Sequence, residues 1–224
     1  MNCSLTGLFF AALISSTLSL AIAPASAADA AKDDEKGFTK LFDGKSLDGW
    51  QGSLKGYVVQ DGIIVCKKRG GGRLFTKKEY SDFVFRFEFK LEPGSNNGVG
   101  IRSPLTGNPA YVGMEIQVLD DGAPRYKNLQ PYQYHGSIYG VVAAKRGHQK
   151  KVGQWNSQEI SCQGNQVKIT LNGVVIVDAD LEKVGTPKVV ARHPGLKRKS
   201  GYIGFLGHGA RVEFRNIRIK ELAK

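Results

Sequence analysis

Cysteine is nearly absent from this chain: past residue 27 only Cys66 and Cys162 remain. That excludes a disulfide-stapled scaffold. Neither cysteine has a second Cys or His at ligand spacing, which argues against a thiolate zinc site. One disulfide between the two, or two buried free thiols, both stay open. Proline is sparse at 8 residues, and no segment past residue 27 is long and apolar enough for a bilayer span. There is no nucleophile elbow, no phosphate loop and no dinucleotide fingerprint. Hydride chemistry is thereby excluded for this chain.

Charge is also missing from one place. Residues 1–27 hold no Lys, Arg, Asp or Glu, carry the apolar run Leu8–Ile14, and finish at Ala25-Ser26-Ala27. This is the pattern of a cleaved export signal, expected to be cut near Ala27. Ser15, Ser16, Thr17 and Ser19 interrupt the run, which makes it too polar to anchor in a membrane. The expected location is periplasmic or secreted, with residues 28–36 as a flexible leader and 37–224 as one domain.

Elsewhere the chain is basic, with net charge +12 gathered in clusters such as Lys67-Lys68-Arg69, Lys77-Lys78, Lys145-Arg146 and Lys150-Lys151. Such clusters suit solvated loops, acidic glycans or electrostatic association with an anionic envelope. Export and the lack of any binding motif argue against nucleic acid.

What the chain does have is alternation. Phe83, Phe85, Phe87 and Phe89 share one face of a strand. The same period of two runs through Tyr111–Leu119, Gln158–Cys162 and Arg211–Ile219. Val167–Leu171 and Val174–Val177 flank Asn172-Gly173, whose two residues accept the positive φ angles of a type I′ hairpin turn. No helix longer than a turn or two is expected. Many strands without a βαβ rhythm predict an all-β sandwich of two antiparallel sheets. The stretch 120–155 is too long for a passive turn and is expected to carry function.

Seven landmarks occur in a recognisable order. Gly37–Trp50 opens the domain, followed by Asn97-Gly98-Val99-Gly100-Ile101-Arg102, Glu115–Asp120 and Gly136-Ser137-Ile138-Tyr139. Trp155-Asn156, Gly164-Asn165, Leu171-Asn172-Gly173 and Phe214–Ile219 complete the seven that follow the opening. In this order the chain resembles the 3-keto-disaccharide hydrolase domain family over about residues 37–222. The resemblance implies a concanavalin A-like jelly roll with a saccharide substrate oxidised at carbon 3. It implies cleavage by elimination and hydration, in which a base removes the acidified proton on carbon 2, unlike the two-carboxylate displacement of ordinary glycosidases. A separate dehydrogenase would have to make the 3-keto sugar. A non-catalytic carbohydrate-binding module of the same fold is the alternative. An ordinary glucanase lacks support, since no Glu-x-Asp-x-x-Glu pattern occurs on a strand.

The candidate site residues follow. Glu115 and Gln117 point to one face of their strand, while Met114, Ile116 and Val118 point to the core. Glu115 is one candidate base. His135 is the other, because an unperturbed imidazole titrates near neutrality. Arg102 is expected to stabilise an enolate or bind a sugar oxygen. Asp120 and Tyr139 are candidates for the acid or orienting group, and Asn97, Gln117, Tyr139 and Tyr134 for substrate contacts. His208 is read as part of a turn, and Trp155 as core. No cofactor is expected, although Glu115, Asp120 and Asp121 suggest calcium as a second reading.

Overall fold

The four phenylalanines of β6 (Phe83–Leu91) decide where the core lies. Each is at most 1% exposed, and the residues between them face outward. Burying each ring contributes roughly 1.5–3 kcal/mol, so the strand has one stable orientation. In the computed structural model, which describes Met1 and residues 35–223, β6 lies at the middle of one of two stacked antiparallel sheets. The expected export segment lies, apart from Met1, outside the described residues. Gly37–Lys224 forms one compact unit.

The first sheet contains β1 (Thr39–Lys40), β3 (Tyr57–Gln60), β4 (Ile63–Cys66), β6, β9 (Trp155–Gln163), β10 (Gln166–Leu171), β11 (Val174–Asp180) and β13 (Val212–Glu221). Its order is β11-β10-β9-β6-β13-β4-β3, and β1 adds to one end of β13. The second sheet is five-stranded and runs β2-β5-β12-β7-β8. Its members are β2 (Trp50–Gly52), β5 (Gly71–Tyr80), β7 (Asn96–Ser103), β8 (Met114–Leu119) and β12 (Gly201–His208). Phe205 of β12 stacks on Phe214 of β13 with centroids 3.7 Å apart, joining the two sheets through the core.

Local signals act where expected. Asn172 and Gly173 have φ of 50° and 84°, and Leu171 pairs with Val174 across the turn. Two positions depart from the reading. The alternation from Tyr111 does not begin a strand there, because Asn108 caps and Pro109 starts a one-turn helix, α1 (Pro109–Val112), delaying β8 to Met114. Trp155 is not core. Asn156, Gln158, Ile160 and Cys162 take the inward parity of β9, and Trp155 lies outside between Lys90 Nζ (4.9 Å) and the Arg215 guanidinium (4.1 Å).

Cys66 and Cys162 are both free and buried. Their strands, β4 and β9, are separated by β13 and β6. Three strand spacings come to roughly 14 Å, twice what a disulfide spans. Among the described residues no helix is long and apolar enough to cross a membrane.

Candidate functional site

The outer face of β8 carries Glu115, Gln117 and Leu119, and these line a small cavity of about 210 Å³. That is below the ~300–1,000 Å³ of pockets that enclose drug-sized ligands. A cavity this size suits one ring better than an extended chain. Asn96 enters from β7, His208 from the end of β12, and Asn108, Ala110 and Tyr111 from the α1 turn.

The stretch after β8 completes the wall. Gly136 N donates to Gln117 O (2.8 Å), Gln117 N to Ser137 O (3.0 Å), and Tyr139 N to Glu115 O (2.9 Å). The chain therefore returns along the open edge of β8, which satisfies that edge and sets Tyr139 and Gln133 beside the strand's side chains. Gln117 Nε2 donates to Gln133 O at 3.3 Å, and Gln133 Nε2 donates to Tyr139 Oη at 2.9 Å. The Tyr139 hydroxyl thus has its own proton free to donate. Gln117 Oε1 is buried and has no partner among the described residues.

Gly98 on β7 is what lets Glu115 reach inward. A Cβ there would stand 2.0 Å from Glu115 Oε1, so any side chain would displace the carboxylate. With that space open, Glu115 leans across β7 toward β12, where His208 Nε2 lies 3.6 Å from Oε1. Glu115 is buried and His208 about half exposed. The bond to Glu115 raises the His208 pKa above 6.5, against the opposing effect of burial. Replacing Glu115 with Gln should return the His208 midpoint toward 6.5, as followed by NMR of the imidazole protons. An unchanged midpoint would mean that the two side chains do not interact in solution.

Three of the eight candidates therefore meet: Glu115, Gln117 and Tyr139. The other five do not. Asn97 has the wrong parity; it is fully buried in the core, accepts from Gly98 N at 2.9 Å, and leaves the cavity to its neighbour Asn96. Tyr134 is buried under the Arg146 guanidinium, 3.6 Å from its ring, and its hydroxyl donates to Lys127 O. His135 is packed against Phe89 with ring centroids 5.0 Å apart, and its Nδ1 accepts from Leu119 N. Burial lowers its pKa to about 3, with a small opposing effect from Gln158. An imidazole enclosed on the core side is no base for a ligand in the cavity.

Arg102 is 1% exposed and held on all sides of its guanidinium by other chain segments. It donates to Ser81 O (3.0 Å), Gly164 O (2.8 Å) and Arg198 O (3.3 Å), and pairs with Asp82 at 2.8 Å. It ties chain segments together with four of its five N–H donors and does not line the cavity. Asp120 caps two turns instead, accepting from Gly94 N (2.7 Å) and Gly122 N (3.1 Å). Asp120 and Asp121 line a different cleft from Glu115, so the three carboxylates considered for calcium do not converge. Among the described residues no group of three or more His, Cys, Asp or Glu could hold a metal ion.

Sequence reasoning passed over His208, Tyr111 and Tyr126. Counting parity forward from the buried Phe205 places His208 on the same face as Leu206, opposite Phe205. Tyr111 is well exposed over the cavity, backed by the His193 ring at 5.0 Å, whose Nδ1 meets Ala110 O. An aromatic ring held this way presents an apolar face to the cavity.

A family model described as the 3-keto-alpha-glucoside-1,2-lyase-like domain matches residues 37–220. A Bacteroides thetaiotaomicron protein named 3-keto-disaccharide hydrolase is 27% identical, over 84% of this chain and 80% of its own length. A crystal structure from Parabacteroides distasonis, named for an inferred glycosyl hydrolase activity, is 30% identical, with TM-score 0.74 over 83% of this chain and 99% of that one. A second from the same organism, similarly named, is 26% identical with TM-score 0.72, over 86% and 97% of the two chains.

Proposed function

This chain belongs to the 3-keto-alpha-glucoside-1,2-lyase-like domain family, and on that footing we propose that it cleaves glycosides of 3-keto sugars, with Glu115 and His208 as its acid–base unit. The observation that carries this reading is the buried carboxylate of Glu115 beside the imidazole of His208, in a cavity whose other polar lining is amides and tyrosines. A module that only binds sugar has no use for such a pair.

The roles follow from protonation. His208 holds its proton more tightly than an ordinary histidine, so near neutral pH it is suited to give a proton. Glu115, an acceptor facing the same space, is suited to take one. Glu115 removes the proton on carbon 2, and the electron pair flows into the ketone to give an enolate. The free Tyr139 hydroxyl proton stabilises that oxygen. As the ketone re-forms, the bond from carbon 1 to the glycosidic oxygen breaks, a double bond forms between carbons 1 and 2, and His208 protonates the departing oxygen. Water then adds at carbon 1 and a proton returns to carbon 2, so the net change is hydrolysis. Gln117 Oε1 accepts from a sugar hydroxyl, and Tyr111 stacks on the ring. The sugar-binding groups belong to a protein working outside the cytoplasm, after loss of residues 1–27.

The test is incubation of the purified protein in D2O with a 3-keto-glucoside and with its unoxidised parent. The expected result is release of the 3-keto sugar from the first alone, with deuterium at carbon 2. Cleavage of neither, or of both at equal rates, would overturn the reading.

A further inference from the structure

Past the end of β8 lies a larger concavity, a cleft of about 1190 Å³. Four cations line it, Arg125, Arg146, Lys150 and Lys151, against two carboxylates, Asp120 and Asp121. The carboxylates are already committed. Asp120 accepts two backbone N–H groups, while Asp121 accepts His135 N at 2.8 Å and lies 3.7 Å from Arg146. The lysines are freer. Lys150 Nζ has only the Trp155 carbonyl, at 3.1 Å, and the exposed Lys151 ammonium has no hydrogen bond or ion pair among the described residues. Pro93, Ala123, Pro124 and Val152 make the rest of the lining largely apolar.

This cleft shares a wall with the Glu115 cavity. Leu119 and Tyr126 line the cavity, and their chain neighbours Asp120 and Arg125 line the cleft. The Arg125 guanidinium lies over the Tyr126 ring at 4.6 Å, and both side chains donate to Gly94 O. A ligand crossing that wall would have its sugar over Glu115 and its remainder among the lysines.

We propose that the cleft receives the leaving-group half of the glycoside and selects leaving groups that join an apolar body to a carboxylate. The inference rests on the Glu115 cavity being the place of cleavage. An apolar lining rewards burial of a ring, and the uncommitted ammonium groups at its rim attract the anion.

The test uses two 3-keto-glucosides of one shape, with 4-carboxyphenyl and 4-carbamoylphenyl leaving groups, on the full protein and on its Lys150→Gln/Lys151→Gln double variant. Both lysines are exposed, so the double variant should fold, which its melting temperature checks. The ratio of kcat/KM for the acid over the amide is the readout, since comparing proteins cancels the intrinsic difference between the leaving groups. The ratio should fall about tenfold in the double variant, and fall in the parent protein as salt rises. Cleavage of both glycosides with the same ratio in both proteins would overturn the cleft assignment and leave the proposed function standing. Cleavage of neither would overturn the function, and the cleft's role with it.

Discussion

Glu115→Gln is expected to lower kcat/KM on a 3-keto-glucoside by about 10³-fold, within the ~10²–10⁴-fold that a positioned acid–base group contributes. The substitution keeps the shape of the side chain, so the fit over Gly98 survives while the proton acceptor is lost. The loss should fall on kcat, because the sugar contacts of Gln117, Tyr111 and Tyr139 remain. His208→Gln should cost less, about 10–100-fold, since water can protonate part of the departing oxygen. It should cost least on glycosides whose leaving group needs no proton. Activity of the Glu115→Gln protein within about threefold of the parent would sink the assignment. In the parent, activity should decline at high pH as His208 loses its proton, above the ordinary histidine value of 6.5 because Glu115 raises it. In Glu115→Gln any residual activity should lose that shifted limb.

Arg102→Met should be the most destabilising single change at the residues discussed, though Arg102 touches no substrate. Four acceptors depend on this side chain: three carbonyls and the Asp82 carboxylate. A methionine fills similar volume but takes the donor from three carbonyls and the cation from beside Asp82, at a side chain that is itself 1% exposed. Removing one partner of a buried ion pair costs about 3–5 kcal/mol. For a domain of this size that lowers the melting temperature by about 6–20 °C. The pH dependence of the remaining activity should be unchanged, since Glu115 and His208 are untouched. A variant that melted normally but lost kcat would show that Arg102 acts in catalysis after all. Lys would be a poor rescue, since an ammonium cannot present a planar fork to acceptors on several sides.

How much of this site was legible in the sequence depended on parity. Glu115 and Gln117 were assigned to the right face because Met114, Ile116 and Val118 are apolar and must point inward. The same rule fails in the segment 96–102. Its glycines at 98 and 100 show no contrast between faces, and Asn96 and Asn97 are equally polar. Only the pairing of Asn96 with Leu119 and Gly98 with Gln117 settles which asparagine sees the cavity. His135 was a reasonable base by chemistry, but local sequence does not show that its ring turns against Phe89, on a strand of the other sheet.

The sequence alone was enough for the alternating strands, the Asn172-Gly173 turn, the all-β sandwich and the strand that carries Glu115. These depend on contacts between near neighbours or on which residues avoid water, and both are written in local pattern. The partner of Glu115 was decided by tertiary structure. His208 lies 93 positions further along the chain, and it meets the carboxylate because β12 pairs beside β7 and Gly98 leaves the space between them open. Such a meeting is set by strand order and by the absence of a side chain, and neither leaves a mark on the residues around His208.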